Sequence, residues 1–171
     1  LIKNIFRIFR MINKNIFLVH GDATQLPFPD FSFDGYWSVQ TLQHIPDFSR
    51  SVREAHRVLK GGGKFVNYSL NDSRFVKLIY RILKKKYHVN GMIPGTYYLA
   101  RASKEQNSIV SNTFEEKVSC RYTEVFFQPD LKIKIGRYNS VLGKIDSFLS
   151  GSSPLFSNIA HQSSYHTTKR S

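Results

Sequence analysis

Cysteine is nearly missing: Cys120 stands alone in 171 residues. One thiol can form neither an internal disulfide nor a Cys-based zinc cluster, and such a chain suits a reducing compartment. A cytoplasmic location is therefore expected. Histidine supplies no substitute, because His161 and His166 lack companions at metal-ligand spacing, and no metal is expected. No uncharged apolar run approaches the ~20 residues that a membrane-spanning helix needs, so no transmembrane segment is expected. Charges interrupt every candidate apolar core near the start, which argues against a cleavable signal peptide.

Acid is scarce as well. There are 12 Asp+Glu against 25 Lys+Arg, a formal net charge of +13. The deficit is regional: residues 1–21 and 73–104 contain no acid, whereas 22–72 are close to balanced. A surface of that kind suits nucleic acid, an anionic membrane or an anionic substrate. It equally describes a solvated face that keeps a domain soluble. What the sequence does have is aromatic and apolar content, 14% and 41%. That excludes disorder throughout and is enough for one packed domain.

Ile2, Ile5, Phe9 and Ile12 recur three or four apart, predicting an amphipathic helix that packs on a sheet. Ile16-Phe17-Leu18-Val19 reads as a strand buried on both faces, and Phe33 to Val39 as a second strand. After Pro46-Asp47 a helix is expected with Val52, Ala55, Val58 and Leu59 on one face, capped by Asp47 or Ser49. Ser51 and Glu54 have capping-box spacing. Gly61-Gly62-Gly63 is expected to end that helix, and Phe65 to Leu70 to form a third strand. Strand, helix and strand alternating at short spacing predict a parallel sheet with crossover helices. Beyond it, Arg74 to Tyr87 reads as a basic helix, and 88–111 as irregular. Residues 122–127 and 131–135 promise a helix and a strand of undecided order, and a loose Ser-rich tail follows from 150.

Ligands of an open parallel sheet bind beyond the carboxyl ends of its strands. Gly21-Asp22-Ala23 and Ser38-Val39-Gln40 close the first two, so Asp22 and Ser38 are expected to face one crevice. A carboxylate with the next backbone N–H complements an adenine edge, which pairs an amino donor with a ring-nitrogen acceptor. Asp22 also has the chemistry to cap the following turn.

The string Gly21-Asp22-Ala23-Thr24-Gln25-Leu26-Pro27-Phe28-Pro29-Asp30, with Ser32-Phe33-Asp34 after it, resembles class I S-adenosylmethionine-dependent methyltransferases, and among them the type 11 group. Ser38 to Asp47 and Arg53 to Lys60 continue the same pattern in the same order. The resemblance covers roughly Ile16 to Leu70. It implies an α/β, Rossmann-like parallel sheet and S-adenosyl-L-methionine as cofactor. It places Asp22 on the adenine amino group and the Ala23 amide on a ring nitrogen. The backbone of Ser38, Val39 and Gln40 would border the methionine end, with His44 near the reacting methyl as orienting group or base. The acceptor would be a small or lipid-like molecule.

Two departures are visible. The glycine-rich loop and the ribose-binding acid of the family have no counterpart here, and Gly61-Gly62-Gly63 stands where Pro-Gly-Gly is usual. The expectation is therefore a partial methyltransferase domain over residues 1–149, incomplete at the N-terminus, with its core at 16–70. Residues 73–111 would be a lid or substrate segment and 150–171 a loose tail. Such a fragment is expected to turn over no substrate on its own. The competing reading is a noncatalytic basic module for nucleic acid or an anionic surface, which predicts steep loss of binding with salt.

Overall fold

The computed structural model describes residues 16–84, 101–123, 148, 151 and 154–171. The predicted helix at the N-terminus, and residues 131–135, lie outside that set.

Four strands form one sheet: β1 (Phe33–Val39), β2 (Leu59–Leu70), β3 (Ser119–Thr123) and β4 (Gln162–Thr168), in the order β1-β2-β4-β3. β1 and β2 are parallel and joined by the crossover helix α1 (Phe48–Val58), as the alternation of elements predicted. β4 runs antiparallel to both neighbours, so the sheet is mixed rather than purely parallel. Two further helices are α2 (Arg74–Ile82) and α3 (Ser103–Phe114).

Asp47 caps α1, its carboxylate accepting the Arg50 N–H at 2.8 Å. Val52, Ala55 and Val58 come to one face and have no exposed surface. Val52 and Ala55 join Leu42, Phe48, Leu59, Phe65, Val110 and Phe114 in the core between α1, α3 and the sheet. α1 does not end at the glycines. Leu59 is already extended and fully buried, and drawing its side chain into the core turns the chain into β2. The glycines instead bulge out of β2: the partner of Phe33 is Leu59, but that of Gly35 is Lys64. Gly62 takes φ +76°, and a Cβ on Gly63 would sit 2.9 Å from the Lys60 carbonyl oxygen.

Three expectations need correction. Ile16 to Val19 form no strand, and Phe17 and Val19 are exposed. Among the described residues β1 pairs only with β2, and no neighbour is available to Ile16 to Val19. The stretch 88–111, read as irregular, contains most of α3, whose buried positions include the polar Ser103 and Gln106. Residues 150–171, read as a loose tail, supply β4 in the interior of the sheet, with Tyr165 fully buried. Ser, Tyr, His and Thr lack the apolar alternation that marks a strand, yet here they bond one another under cover. Ser163 Oγ and Tyr165 Oη are 2.7 Å apart, and the phenol also donates to the Ser103 carbonyl at 3.3 Å.

Asn71 fastens these parts. Its Nδ2 donates to the carbonyls of Ser157 (2.6 Å) and Ala160 (3.0 Å), and its Oδ1 accepts the first amide of α3, Ser103, at 2.9 Å. The side chain is 1% exposed, so truncation would leave these backbone groups buried without their partner. Asn71→Ala is expected to cost about 3 kcal/mol, summed from unpaired groups at ~1 kcal/mol or more each. Chemical denaturation of the two proteins measures it. A difference under about 1 kcal/mol would show that these segments are held by something else.

Candidate functional site

Asp22 opens a tight turn at the near side of α1. The Gln25 amide donates to the Asp22 carbonyl at 3.0 Å, and the Thr24 amide and hydroxyl donate to Asp22 Oδ1 at 2.8 and 2.9 Å. These bonds, the Thr24 amide foremost, hold the exposed carboxyl below its usual titration range. Asp22 is thus a turn cap, as its chemistry allowed, but only one oxygen is used. Oδ2 and the Ala23 amide have no hydrogen-bond partner among the described residues. A charged acceptor therefore stands beside an open N–H, while the Ala23 methyl packs against the core.

One stripe of α1 holds this segment in place. Arg50 Nε donates to the Thr24 carbonyl at 3.0 Å, and Glu54 Oε2 accepts the Leu26 amide at 2.8 Å. Arg57 donates to the carbonyls of Leu26 (3.0 Å) and Phe28 (2.8 Å) and pairs with Asp30 Oδ1 at 2.7 Å. Positions 50, 54 and 57 follow the helical repeat, so they share a face. Glu54 serves this loop rather than a capping box, and its hydrogen bond from Arg57 holds its carboxyl below the ordinary value.

The second half of the site follows β1. Ser38 turns its side chain into the core, where Oγ has no hydrogen-bond partner, so what it offers a crevice is backbone. Val39 is half exposed; its carbonyl accepts the Thr41 hydroxyl at 2.9 Å. Gln40 takes φ +48°, unusual for a residue with a side chain, and its amide is committed to the Tyr68 carbonyl at 2.8 Å. That bend sends the chain into a 3₁₀ turn, Leu42–His44. Leu42 anchors the turn in the core and Gln43 is buried beside it, leaving His44 half-buried at the rim.

Arg101 closes this loop from the other side. Its guanidinium donates to the Pro46 carbonyl at 2.8 Å and to those of Gln43 and Ile45 at 3.4 Å, lying over the Phe48 ring at 5.3 Å. Its own carbonyl accepts from the Asp72 amide and from Gln106 Nε2, both at 3.0 Å. Gln106 also reaches the Leu70 carbonyl at 3.2 Å, while the Leu70 amide donates to Gln43. The end of β2 is thereby tied to the 40–47 loop through the side chains of Gln43, Arg101 and Gln106. Their only trace in the sequence is polarity at positions that helix and strand periods put inside.

The Asp22 turn is held to α1 through Arg50, the Leu42–His44 turn follows the carboxyl end of β1, and Ala23 packs against the core cluster that includes Leu42. The basic stretch is less uniform than its composition suggests. Lys77 pairs with Asp72 at 2.6 Å and Arg101 points inward, whereas Arg74, Arg81 and Lys84 are exposed. Among the described residues, no cluster of three or more His, Cys, Asp or Glu side chains could hold a metal ion, and no helix is long and apolar enough to cross a membrane.

Residues 7–67 match the family model described as a methyltransferase domain. The demethylmenaquinone methyltransferase of Staphylococcus haemolyticus is 34% identical over 122 residues, which cover 71% of this chain and 50% of that protein. The 27-O-demethylrifamycin SV methyltransferase of Amycolatopsis mediterranei is 40% identical over 53 residues, 31% of this chain and 20% of that one. The chain thus matches at most about half the length of these relatives. A SAM-dependent methyltransferase from Thermotoga maritima superposes with a TM-score of 0.64 at 20% identity, covering 98% of this chain and 70% of its own. That likeness establishes the fold, and the matched motifs run through the two turns just described. Residues 7–67 thus carry the pattern of a methyltransferase domain, on the fold of the S-adenosylmethionine-dependent methyltransferases.

Proposed function

We propose that this chain forms part of an enzyme that methylates a small-molecule acceptor with S-adenosyl-L-methionine. The observation that carries the reading is the open Asp22 Oδ2 beside the open Ala23 amide, in a turn inside the matched family region. An adenine edge presents the complementary donor and acceptor, so these residues fit that end of the cofactor. The backbone around Ser38, Val39 and Gln40 borders the methionine end, and His44 borders the acceptor. When bound, the cofactor supplies an electrophilic methyl group on a sulfonium.

The residues of this chain then have a modest chemical task. They must hold the acceptor atom in line with the methyl carbon and keep water out; positioning of this kind is worth ~7–11 kcal/mol of barrier. The rigid Arg50, Glu54 and Arg57 clamps on the adenine side, and the Arg101 clamp on the acceptor side, serve that task. The names of the two relatives, a demethylmenaquinone and a demethylrifamycin methyltransferase, support a small-molecule acceptor.

Amide NMR tests the cofactor assignment directly. S-adenosylhomocysteine is expected to shift the Ala23 and Thr24 amides, and Asp22→Ala to weaken that binding by about tenfold or more, the worth of a hydrogen bond to a charged acceptor. Equal affinity in wild type and variant, or shifts confined to other residues, would remove Asp22 from the adenine site.

A further inference from the structure

Helix α2 carries large apolar side chains on its outside. Phe75 and Leu78 are each 49% exposed and Ile82 is 69% exposed. Positions 75, 78 and 82 follow the helical repeat, so the three groups share one face. Arg74 and Arg81 recur at the same interval and line a border of that stripe, and Lys84 follows just beyond the helix; all three are exposed. Among the described residues no ion pair engages any of these cations. Lys77 instead pairs with Asp72 at 2.6 Å, just past the end of β2, and residues 73–104 contain no acid. The start of the helix is fastened. The Ser73 hydroxyl donates to the Asn158 carbonyl, and α2 packs on the 3₁₀ turn Pro154–Asn158, where Leu155 is exposed as well.

We propose that α2 docks the chain on an anionic lipid bilayer, lying in the headgroup plane with Phe75, Leu78 and Ile82 among the acyl chains and Arg74, Arg81 and Lys84 on lipid phosphates. Charge complementarity selects this occupant. An apolar stripe alone suits any hydrophobic partner, but a stripe bordered by unpaired cations matches a surface that is negative on top and apolar beneath. A nucleic acid offers the phosphates but no depth for Leu78 and Ile82. At nine residues the helix is far short of the ~20 needed to span, so it lies on the bilayer. The docking rests on α2 alone; its bearing on the acceptor rests on the function proposed above. α2 starts just past the end of β2, which is tied to the loop that carries His44. A docked chain therefore holds its acceptor side near the lipid.

Flotation of the 171-residue chain with vesicles of phosphatidylcholine, alone or mixed with phosphatidylglycerol, reads the docking. Binding is expected only with phosphatidylglycerol and is expected to fall as salt rises. A chain of net charge +13 adsorbs to anionic surfaces in general, so the variants carry the decision. Arg74→Gln with Arg81→Gln, and separately Phe75→Ser with Ile82→Ser, are each expected to weaken partition by about tenfold or more. All four side chains are exposed, and circular dichroism checks that each variant keeps the fold. Phe75→Trp in a Trp37→Phe background, which leaves one tryptophan, reports depth: its emission is expected to shift to the blue on phosphatidylglycerol vesicles. No binding to these vesicles, wild-type partition of either double variant, or unchanged emission overturns the proposal. Polyuridylate is the rival probe, and a blue shift with it but not with vesicles assigns the face to nucleic acid and overturns the proposal too. No readout uses the cofactor, so failure of the adenine assignment at Asp22 and failure of this docking are told apart.

Discussion

Deleting residues 162–171 is expected to abolish cooperative unfolding of the chain. These residues include β4, which lies between β2 and β3 and is hydrogen-bonded to both. The residues facing β2 run from Lys64 to Leu70, and those facing β3 from Ser119 to Thr123. Without β4, β3 loses its only strand partner among the described residues and β2 becomes an edge, with a row of unpaired amides and carbonyls. Tyr165 leaves the core with its bonds to Ser163 and Ser103. Lys169 leaves as well; its ammonium donates to the carbonyls of His56 and Leu59, each at 2.8 Å, and sits 4.2 Å from the Phe31 ring centroid. The cation sits where the α1 dipole ends and satisfies groups that the helix cannot. Scanning calorimetry and amide dispersion read the outcome. Removing only the exposed Arg170 and Ser171 serves as the control and is expected to melt near wild type. A cooperative transition of the longer deletion within a few degrees of the full chain would show that β4 is dispensable.

The end of the chain does not read as a strand in its sequence because its buried residues are polar. β1 and α1 were legible because their inward residues are apolar and recur at the period of a strand or helix. β4 and α3 bury Ser163, Tyr165, Thr167, Ser103 and Gln106 instead. Polar side chains can be buried when they bond to one another or to backbone, and several of those partners come from segments far away in the chain. Asn71 illustrates this, since two of its acceptors are contributed by residues 157 and 160. Periodicity reports burial of oil, and this fold hides alcohols and amides as well.

The site divides in the same way. The Asp22 turn is local: Thr24 is two residues away, so its geometry is written in a short string. Glu54 also stood out, but for a capping role, because its partner Leu26 lies 28 residues earlier. Gln106 and Arg101 lie outside the resembling strings, Gln43 lies inside one without a role of its own there, and only the fold reveals that they converge on the end of β2. Ile16 to Val19 failed for the opposite reason. The apolar run is genuine, but a strand needs a neighbour to satisfy its backbone, and composition says nothing about whether one is at hand.

Phe65→Ala is expected to cost about 3–5 kcal/mol, the range for removing a fully buried aromatic ring. Phe65 has no exposed surface. Its ring stacks on Tyr36 at 5.6 Å and meets Phe114 at 5.0 Å, so one side chain joins β1, β2 and α3. The cavity has no simple route to collapse, since its walls belong to a sheet on one side and a helix on the other. At roughly 2–4 °C per kcal/mol for a chain of this size, Tm is expected to fall by roughly 10 °C. Trp37 supplies the internal comparison. It follows Tyr36 in β1 and therefore points to the opposite face, where it is 74% exposed. Trp37→Ala is accordingly expected to change stability by less than about 0.5 kcal/mol. Thermal melts of the two variants decide which face of the sheet carries the core. If the larger tryptophan proves the costlier loss, the packed face is the one that Trp37 occupies, and the placement of α1 and α3 over Phe65 is inverted.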